Sequence, residues 1–423
     1  MKEEILKNLE NPKYLEKLFR EDKTNFRKAF NSVYLDIIDN PVAQVWNERL
    51  NFENEEISWG NKKDLIFTAV ASVIAGLIAK IPAFTPIKED FFYQRNFAFI
   101  FLPLMTAYFL WKQKVDRKNI IICLVAILLS AIYINILPIK TESGNLLMFH
   151  GKDTVILACI HLPLFLWAVL GFSFVGSNVK NYGRRLDFLR FNGDLAVMTT
   201  IILIAGAVLT GVTIGLFDLI NIKIYNFYFP YIVVWGLAAS PVVATYLIRT
   251  NPQIVNKVSP VIAKVFTPLA LITLIAYLIA IIVSGKSPYN DREFLLVFNM
   301  LLIGVIAIIF FSIAATSKNS NAKIGTILLL ALSILTVIVN SIALSAIIFR
   351  ISEWGISPNR LAVLGSNILF LTNLIIITYR LFKAVKDIVQ IEKAEKSIAV
   401  FMPVYAVWTI IVTFLFPLVF NFK

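Results

Sequence analysis

Stretches of about 20 predominantly apolar residues recur eleven times along the chain and constrain its fold more than any other feature. A helix of that length crosses the hydrocarbon core of a bilayer and satisfies its own backbone hydrogen bonds there. The sequence therefore predicts an all-α polytopic integral membrane protein with about 11 transmembrane helices. The predicted spans are 64–83, 94–111, 119–138, 154–176, 193–217, 227–248, 265–284, 294–316, 324–349, 359–379 and 397–420.

Composition supports this class. Hydrophobic residues make up 58% of the 423 residues and charged residues only 16%, whereas a soluble domain is about 45–50% apolar and about 25% charged. No soluble fold hides such an apolar excess. The lipid bilayer is thus the first partner that the sequence implies.

The distribution of positive charge predicts an orientation. The formal net charge is +13, and most Lys and Arg residues fall before the first span and in alternate connections between spans. Cytoplasmic segments retain Lys and Arg, so the N-terminus is predicted to be cytoplasmic and the C-terminus to lie on the outer side. The basic residues form no patch with interleaved aromatic residues, which argues against nucleic-acid binding.

Residues 1–62 are predicted to form a cytoplasmic head of amphipathic helices that precedes the transmembrane bundle of residues 63–423. Apolar residues recur there at helical spacing, and Asn11-Pro12 and Asn40-Pro41 mark helix boundaries. Because about 60 residues scarcely build a stable core alone, the apolar faces are expected to need cover. The cover would be the protein's own spans, the lipid interface or a protein partner docked on the head.

Signatures of catalysis and of cofactor binding are missing from the sequence. Cys123 and Cys159 lie inside apolar runs without the paired spacing of a zinc site, and His150 and His161 do not form an H-E-x-x-H motif. His150 and Asp153 are the only acid–base pair at close spacing, and they match no known catalytic pattern. We therefore predict no cofactor and no metal, and an enzyme is the least supported class.

Ionisable residues at membrane depth are costly, so they are candidates for a functional site. His161 lies deepest, about eight residues into the fourth span and just before Pro163; it is expected to line a polar cavity or to bond a nearby carbonyl. Asp194 follows Asn192-Gly193 and is expected to cap the fifth span or to lie in its first turn, where an acid interacts favourably with the positive end of the helix. Asp218 is expected at the outer end of that span.

The outer connection between the ninth and tenth predicted spans is a second candidate site. Gly355 is expected to make the bend, Ser357 to cap the next helix and Pro358 to take its first position. Two arginines and a glutamate at the outer end of the spans could bind an anionic headgroup or substrate. The glutamate is expected to pair with one of the two arginines. The tryptophan beside them is typical of an interfacial anchor. The candidate binding residues here are Arg350, Glu353, Trp354 and Arg360.

The segments RFNGDLAVMTTIILIAGAVLTGVTIGLFDLI (190–220) and RISEWGISPNRLAVLGSNILFLTN (350–373) resemble a family of bacterial polytopic membrane proteins catalogued as domain of unknown function 4153. In that family a span ends in a Leu-Phe pair, and a later loop reads arginine…Tyr-Gly-Ile/Leu-Thr…Arg. Leu216-Phe217 and the loop from Glu353 to Arg360 are similar, with Trp354 for Tyr and Ser357 for Thr. The resemblance covers about 190–380. It implies the bacterial cytoplasmic membrane and no particular activity.

The sequence leaves two functions open. The span count, the short connections and the prolines inside several spans favour a permease, a transporter-like or a lipid-handling protein. The scarcity of buried charge favours a neutral or lipidic substrate among these, because ion coupling usually needs acids at mid-membrane depth. The alternative is a non-catalytic scaffold, sensor or assembly subunit that docks a partner through its head.

Overall fold

The computed structural model describes the chain as two compact units, Met1–Ser58 and Trp59–Lys423. The described residues are 1–52, 60–113, 115–138, 152–177, 179–219, 222–251, 266–276, 278–279, 283, 289, 292–316, 323–387 and 390–422. His150 and part of the predicted span 265–284 lie outside them. Every regular element in the described ranges is a helix, and they contain no strand. The all-α prediction is thereby confirmed for these residues.

The head consists of four short helices whose starts follow its polar and proline residues. Asn11 caps the second helix by accepting a hydrogen bond from the backbone N–H of Tyr14, and Pro12 takes the first helical position. Asp22 caps the third helix in the same way. The predicted boundaries at Asn11-Pro12 and Asn40-Pro41 are confirmed. The helices are α1 (Lys2–Lys7), α2 (Pro12–Glu21), α3 (Lys23–Val33) and α4 (Pro41–Phe52).

The apolar faces of the head helices cover one another. Phe19, Phe26 and Trp46 pack with ring centroids 5.0 to 5.7 Å apart, and Phe30 stacks on Phe26. These four side chains are at most 4% exposed. The expectation that the faces need cover from outside the head is therefore wrong for this core, because clustered aromatic rings bury much area per residue.

Arg49, near the end of α4, contacts this aromatic core and pairs with Glu16. The guanidinium of Arg49 lies 4.7 Å from the ring centroid of Trp46 and forms an ion pair with Glu16, with 2.7 Å between Nη1 and Oε2. Its Nη2 donates a hydrogen bond to Glu16 Oε1 at 3.3 Å. Arg20 donates to Glu16 Oε1, also at 2.7 Å. The hydrogen bond from Arg20, reinforced by Arg49, holds the pKa of Glu16 below its usual value.

The second unit is built from helices that follow the predicted spans, with differences in length and continuity. Turns of 3-10 or π geometry connect some of them. They are α5 (Lys62–Ala79), α6 (Ile81–Phe84), α7 (Glu89–Asn96), α8 (Leu102–Lys112), α9 (Arg117–Ile136), α10 (Asp153–Val175), α11 (Tyr182–Leu219), α12 (Tyr225–Phe227), α13 (Val234–Thr250), α14 (Phe266–Ala276), α15 (Arg292–Thr316), α16 (Lys323–Trp354), α17 (Pro358–Ala384), α18 (Gln390–Ile410) and α19 (Phe416–Val419).

Seven helical segments in the described residues are long and apolar enough to cross a membrane. The chain is accordingly a helical membrane protein. The predicted span 94–111 is interrupted, because α7 ends at Asn96 and α8 begins only at Leu102. The segments are Arg117–Ile136, Asp153–Val175, Tyr182–Asp218, Tyr225–Thr250, Lys323–Trp354, Pro358–Ala384 and Gln390–Val419.

Helix α11 is much longer than the predicted span 193–217. Its 38 residues extend about 57 Å at 1.5 Å per residue. The N-terminal part carries every charged residue of the helix except Asp218, and it packs closely against α10, where Gly171 lies under the ring of Phe188. From about residue 203 to Asp218 the helix is exposed on nearly all sides, and among the described residues nothing lies within 4 Å of a Cβ atom built at Gly206, Gly211 or Gly215.

Two apolar cores hold the bundle together. The first is formed mainly by α8, α9, α10 and the start of α11, and the second by α15, α16, α17 and α18. Leu189 on α11 packs against the second core although its neighbours Phe188 and Phe191 belong to the first. The region where the two cores meet contains the candidate site.

Candidate ligand-binding cavity

A cavity of about 680 Å³ lies among α10, α11, α15, α17 and α18. It is only partly enclosed, and Phe266 at the start of α14 also contributes to its wall. His161 and Ser366 are both wall residues, and each lies eight residues, about 12 Å, from the N-terminal end of its helix. The cavity therefore lies at the depth of the apolar segments.

Two glycines allow aromatic rings to form the cavity wall. A Cβ atom at Gly193 on α11 would overlap the ring of Phe311 on α15, and one at Gly365 on α17 would overlap the indole of Trp408 on α18. Trp408 Nε1 also donates to Ser366 Oγ at 2.9 Å. At these two positions only glycine leaves room for the ring of the neighbouring helix, and the close contact fixes the position of the ring.

The wall is almost entirely apolar. Among the described residues that line it there is no Asp, Glu, Lys or Arg. Its polar groups form hydrogen bonds within the protein: Trp167 Nε1 donates to Asn192 Oδ1 at 2.7 Å, and Asn192 Nδ2 donates to the Phe188 carbonyl at 2.6 Å. Small-molecule sites typically combine such an apolar wall with a few convergent polar groups.

His161 lines this cavity. The sequence predicted either a polar cavity or a hydrogen bond to a nearby carbonyl; the cavity is apolar, and the hydrogen bond is present. His161 Nδ1 lies 2.9 Å from the carbonyl oxygen of Leu157, so Nδ1 donates and Nε2 is left as an acceptor in the neutral ring. The bonded carbonyl is the one four residues earlier in the helix. It is not that of Cys159, which Pro163 deprives of its helical partner.

Asp194 and Asp218 of α11 do not line the cavity. Asp194 lies in the helix interior, since α11 begins at Tyr182, so the prediction of a first-turn position is wrong. Gly193 does not start the helix; it is a glycine because the ring of Phe311 lies against it. Asp218 is exposed at the C-terminal end of α11, where it was expected.

The connection between α16 and α17 has the predicted backbone. Gly355 adopts a φ of +74°, and Ser357 caps α17 with Pro358 in its first turn. The expected pairing of Glu353 with an arginine is wrong: Glu353 is exposed, and no ion pair joins it to either arginine. The structure instead brings the arginines onto a tryptophan.

Trp354 is the centre of that cluster. The guanidinium carbons of Arg350 and Arg360 lie 5.1 and 5.8 Å from its ring centroid. Arg360 also donates to the carbonyl oxygens of Trp354 and Gly355, at 2.7 and 2.6 Å. Through these contacts Arg360 closes the turn. Arg350, Trp354 and Arg360 do not line the cavity.

Sequence reasoning missed two buried charged groups that join helices. Asp64 on α5 is 5% exposed and accepts from Lys112 Nζ on α8 at 2.7 Å. Glu395 on α18, also 5% exposed, accepts from Arg190 on α11 at 2.8 Å. Both acids lie close to predicted loops, and no local pattern indicates that a distant basic residue covers them.

A third missed residue is Arg95 on α7. It is 5% exposed and donates to the carbonyl oxygens of Ile134, Leu137 and Pro138, at and just beyond the end of α9. The last carbonyls of a helix lack intrahelical partners and carry partial negative charge. Arg95 therefore serves as the C-terminal cap of a helix that begins 22 residues after it.

Comparison of the chain with protein-family models, with curated proteins and with solved structures gave no match. The resemblance to the family of domain of unknown function 4153 therefore remains a proposal.

Proposed function

We propose that the protein is a lipid-handling or permease-like integral membrane protein that admits an apolar molecule to the cavity. The observation that carries this proposal is the wall itself, which is apolar and has no charged side chain among its described residues. Its volume of about 680 Å³ falls within the 300–1,000 Å³ that is usual for small-molecule sites.

The same wall argues against an ion or a charged solute as the substrate. A charge buried without a partner costs many kcal/mol, and Asp194 and Asp218 do not face the cavity. An apolar substrate instead gains free energy from every contact, without polar groups to compensate. Partial enclosure of the cavity at membrane depth suits entry from the bilayer.

Filling the cavity is expected to expel its occupant. Ala196 on α11 and Ala307 on α15 line the cavity, so phenylalanine at either position would occupy its volume. We expect the Ala196→Phe and Ala307→Phe proteins to retain several-fold less lipid after detergent exchange. The measurement is mass spectrometry of lipid bound per purified chain.

Ala207→Phe is the matched control, because Ala207 lies on the exposed part of α11 and does not line the cavity. It should retain as much lipid as the wild type. Equal retention by all three variants would contradict the proposal. The alternative function, a scaffold that docks a partner through the head, would then be the stronger proposal. At present the head does not favour it, because its apolar residues cover one another.

We also propose eleven spans in a bacterial cytoplasmic membrane, with the N-terminus inside and the C-terminus outside. The support is the distribution of Lys and Arg in the connections.

Orientation is tested with cysteines introduced at two exposed positions, Glu353→Cys and Asp116→Cys. The native Cys123 and Cys159 are buried, which keeps the background low. In intact spheroplasts an impermeant maleimide is expected to label the cysteine at position 353 and to spare the one at 116 until the membrane is permeabilised. The reverse pattern would place the N-terminus outside.

A further inference from the structure

The cavity wall contains two hydroxyl groups that keep a hydrogen to donate. Tyr405 Oη accepts from Asn373 Nδ2 at 2.7 Å, and Ser366 Oγ accepts from Trp408 Nε1 at 2.9 Å. Since each oxygen is the acceptor in these bonds, its own hydrogen points elsewhere. Within the described part of the chain, neither hydroxyl hydrogen has an acceptor. Both residues line the cavity.

His161 supplies the complementary group. Because its Nδ1 donates to the Leu157 carbonyl, its Nε2 presents a lone pair. Ser366, Tyr405 and His161 thus offer two donors and one acceptor, carried by α17, α18 and α10. A ligand that satisfies them needs oxygen atoms that accept a hydrogen bond, and a hydroxyl that donates one.

We propose that the cavity selects an uncharged lipid that carries a hydroxyl or ester group, of the diacylglycerol or long-chain alcohol type. This inference rests on the proposed lipid-handling function and specifies its substrate class. The apolar wall takes the hydrocarbon, and Tyr405, Ser366 and His161 bind the neutral oxygen groups. A phosphate or an ammonium group would find no opposite charge among the described wall residues, and burying it would be costly.

The competing arrangement is a phospholipid that inserts only an acyl chain and leaves its headgroup at the membrane surface. It predicts affinity that is independent of the headgroup, because the same chain would fill the same volume. The two arrangements are separated by comparing lipids with identical chains and different headgroups.

The experiment uses the cavity's own tryptophans, Trp167 and Trp408, as reporters. The full-length protein in nanodiscs of unbrominated phosphatidylcholine is titrated with diacylglycerol or phosphatidate, both carrying the same dibrominated acyl chains. We expect saturable quenching of tryptophan fluorescence by diacylglycerol at mole fractions at least tenfold lower than by phosphatidate. The saturable part should disappear in the Trp167→Phe/Trp408→Phe protein, which identifies the cavity as its source.

Tyr405→Phe removes one hydroxyl donor and keeps the ring. Loss of one hydrogen bond is expected to weaken diacylglycerol binding about three- to tenfold. Tyr379→Phe is the matched control, since Tyr379 lies on the exposed side of α17 and does not line the cavity. The headgroup comparison needs only the wild type, so the proposal stays testable if Tyr405→Phe does not fold.

Each other outcome overturns the inference in a recognisable way. Equal quenching by both lipids, or tighter binding of phosphatidate, would show that the cavity does not select an uncharged headgroup, while the lipid-handling function would stand. Quenching that rises only linearly for both lipids would show that no lipid enters the cavity. The proposed function would then fall together with the inference.

Discussion

Replacing Arg95 with methionine is expected to lower the free energy of unfolding by about 3 kcal/mol or more. Methionine fills a similar volume but donates no hydrogen bond, so the carbonyl oxygens of Ile134, Leu137 and Pro138 lose their donor. Each buried polar group left unpaired costs about 1–3 kcal/mol. Loss of the positive charge at the C-terminus of α9 adds to the cost.

Arg117→Met is the control for this experiment, because Arg117 is exposed at the N-terminal end of the same helix. A cation is unfavourable there, so its removal should change the free energy of unfolding by no more than about 0.5 kcal/mol. Denaturation by sodium dodecyl sulfate in mixed micelles measures both values. Equal effects of the two substitutions would mean that Arg95 is not a helix cap.

Replacing Gly365 with alanine is expected to destabilise the protein by about 1–3 kcal/mol, as overpacking does. The added Cβ atom overlaps the indole of Trp408, and moving that ring breaks its hydrogen bond to Ser366. Because the ring is part of the cavity wall, the substitution should also reduce bound lipid. Tryptophan emission and the free energy of unfolding report the two effects.

Gly206→Ala on α11 separates overpacking from a general effect of alanine. In the part of the chain that the structure describes, nothing lies within contact distance of a Cβ atom at Gly206, and alanine is a better helix former than glycine by about 1 kcal/mol. This variant should be at least as stable as the wild type. If Gly365→Ala were equally harmless, Trp408 would have room to move, and the wall would not depend on that contact.

Local signals in the sequence predicted local structure well. Asn11-Pro12 and Ser357-Pro358 each place a capping side chain next to a residue suited to the first turn, and each starts a helix. Such signals suffice because the cap bonds only to backbone groups two or three residues away. The apolar runs likewise indicated helices, because their length and composition are properties of single segments.

Signals that depend on distant residues were misinterpreted or missed. Asn192-Gly193-Asp194 has the composition of a helix start, yet the helix continues through it, because Gly193 accommodates Phe311 from another helix. Glu353 is flanked by arginines in sequence, but those arginines stack on Trp354 instead. A sequence states which residues are neighbours along the chain and not which rings or charges meet across helices.

The cavity could be predicted only in part. His161 was singled out because an ionisable group at membrane depth is rare. Ser366 and Tyr405 carry no such signal, since a serine and a tyrosine in apolar helices are ordinary. Their importance follows from facing the same space, which is set by the packing of α10, α17 and α18.

The length of α11 has a mechanical consequence. A hydrocarbon core about 30 Å thick is spanned by little more than half of this helix of about 57 Å, and bilayers of different thickness change the tilt of such a helix. Asn192 and Gly193, in the cavity wall, belong to the same uninterrupted helix as the exposed residues from 203 to Asp218. If this helix tilts as a rigid body, Asn192 and Gly193 move together with its exposed part, and we therefore expect the width of the cavity to depend on bilayer thickness.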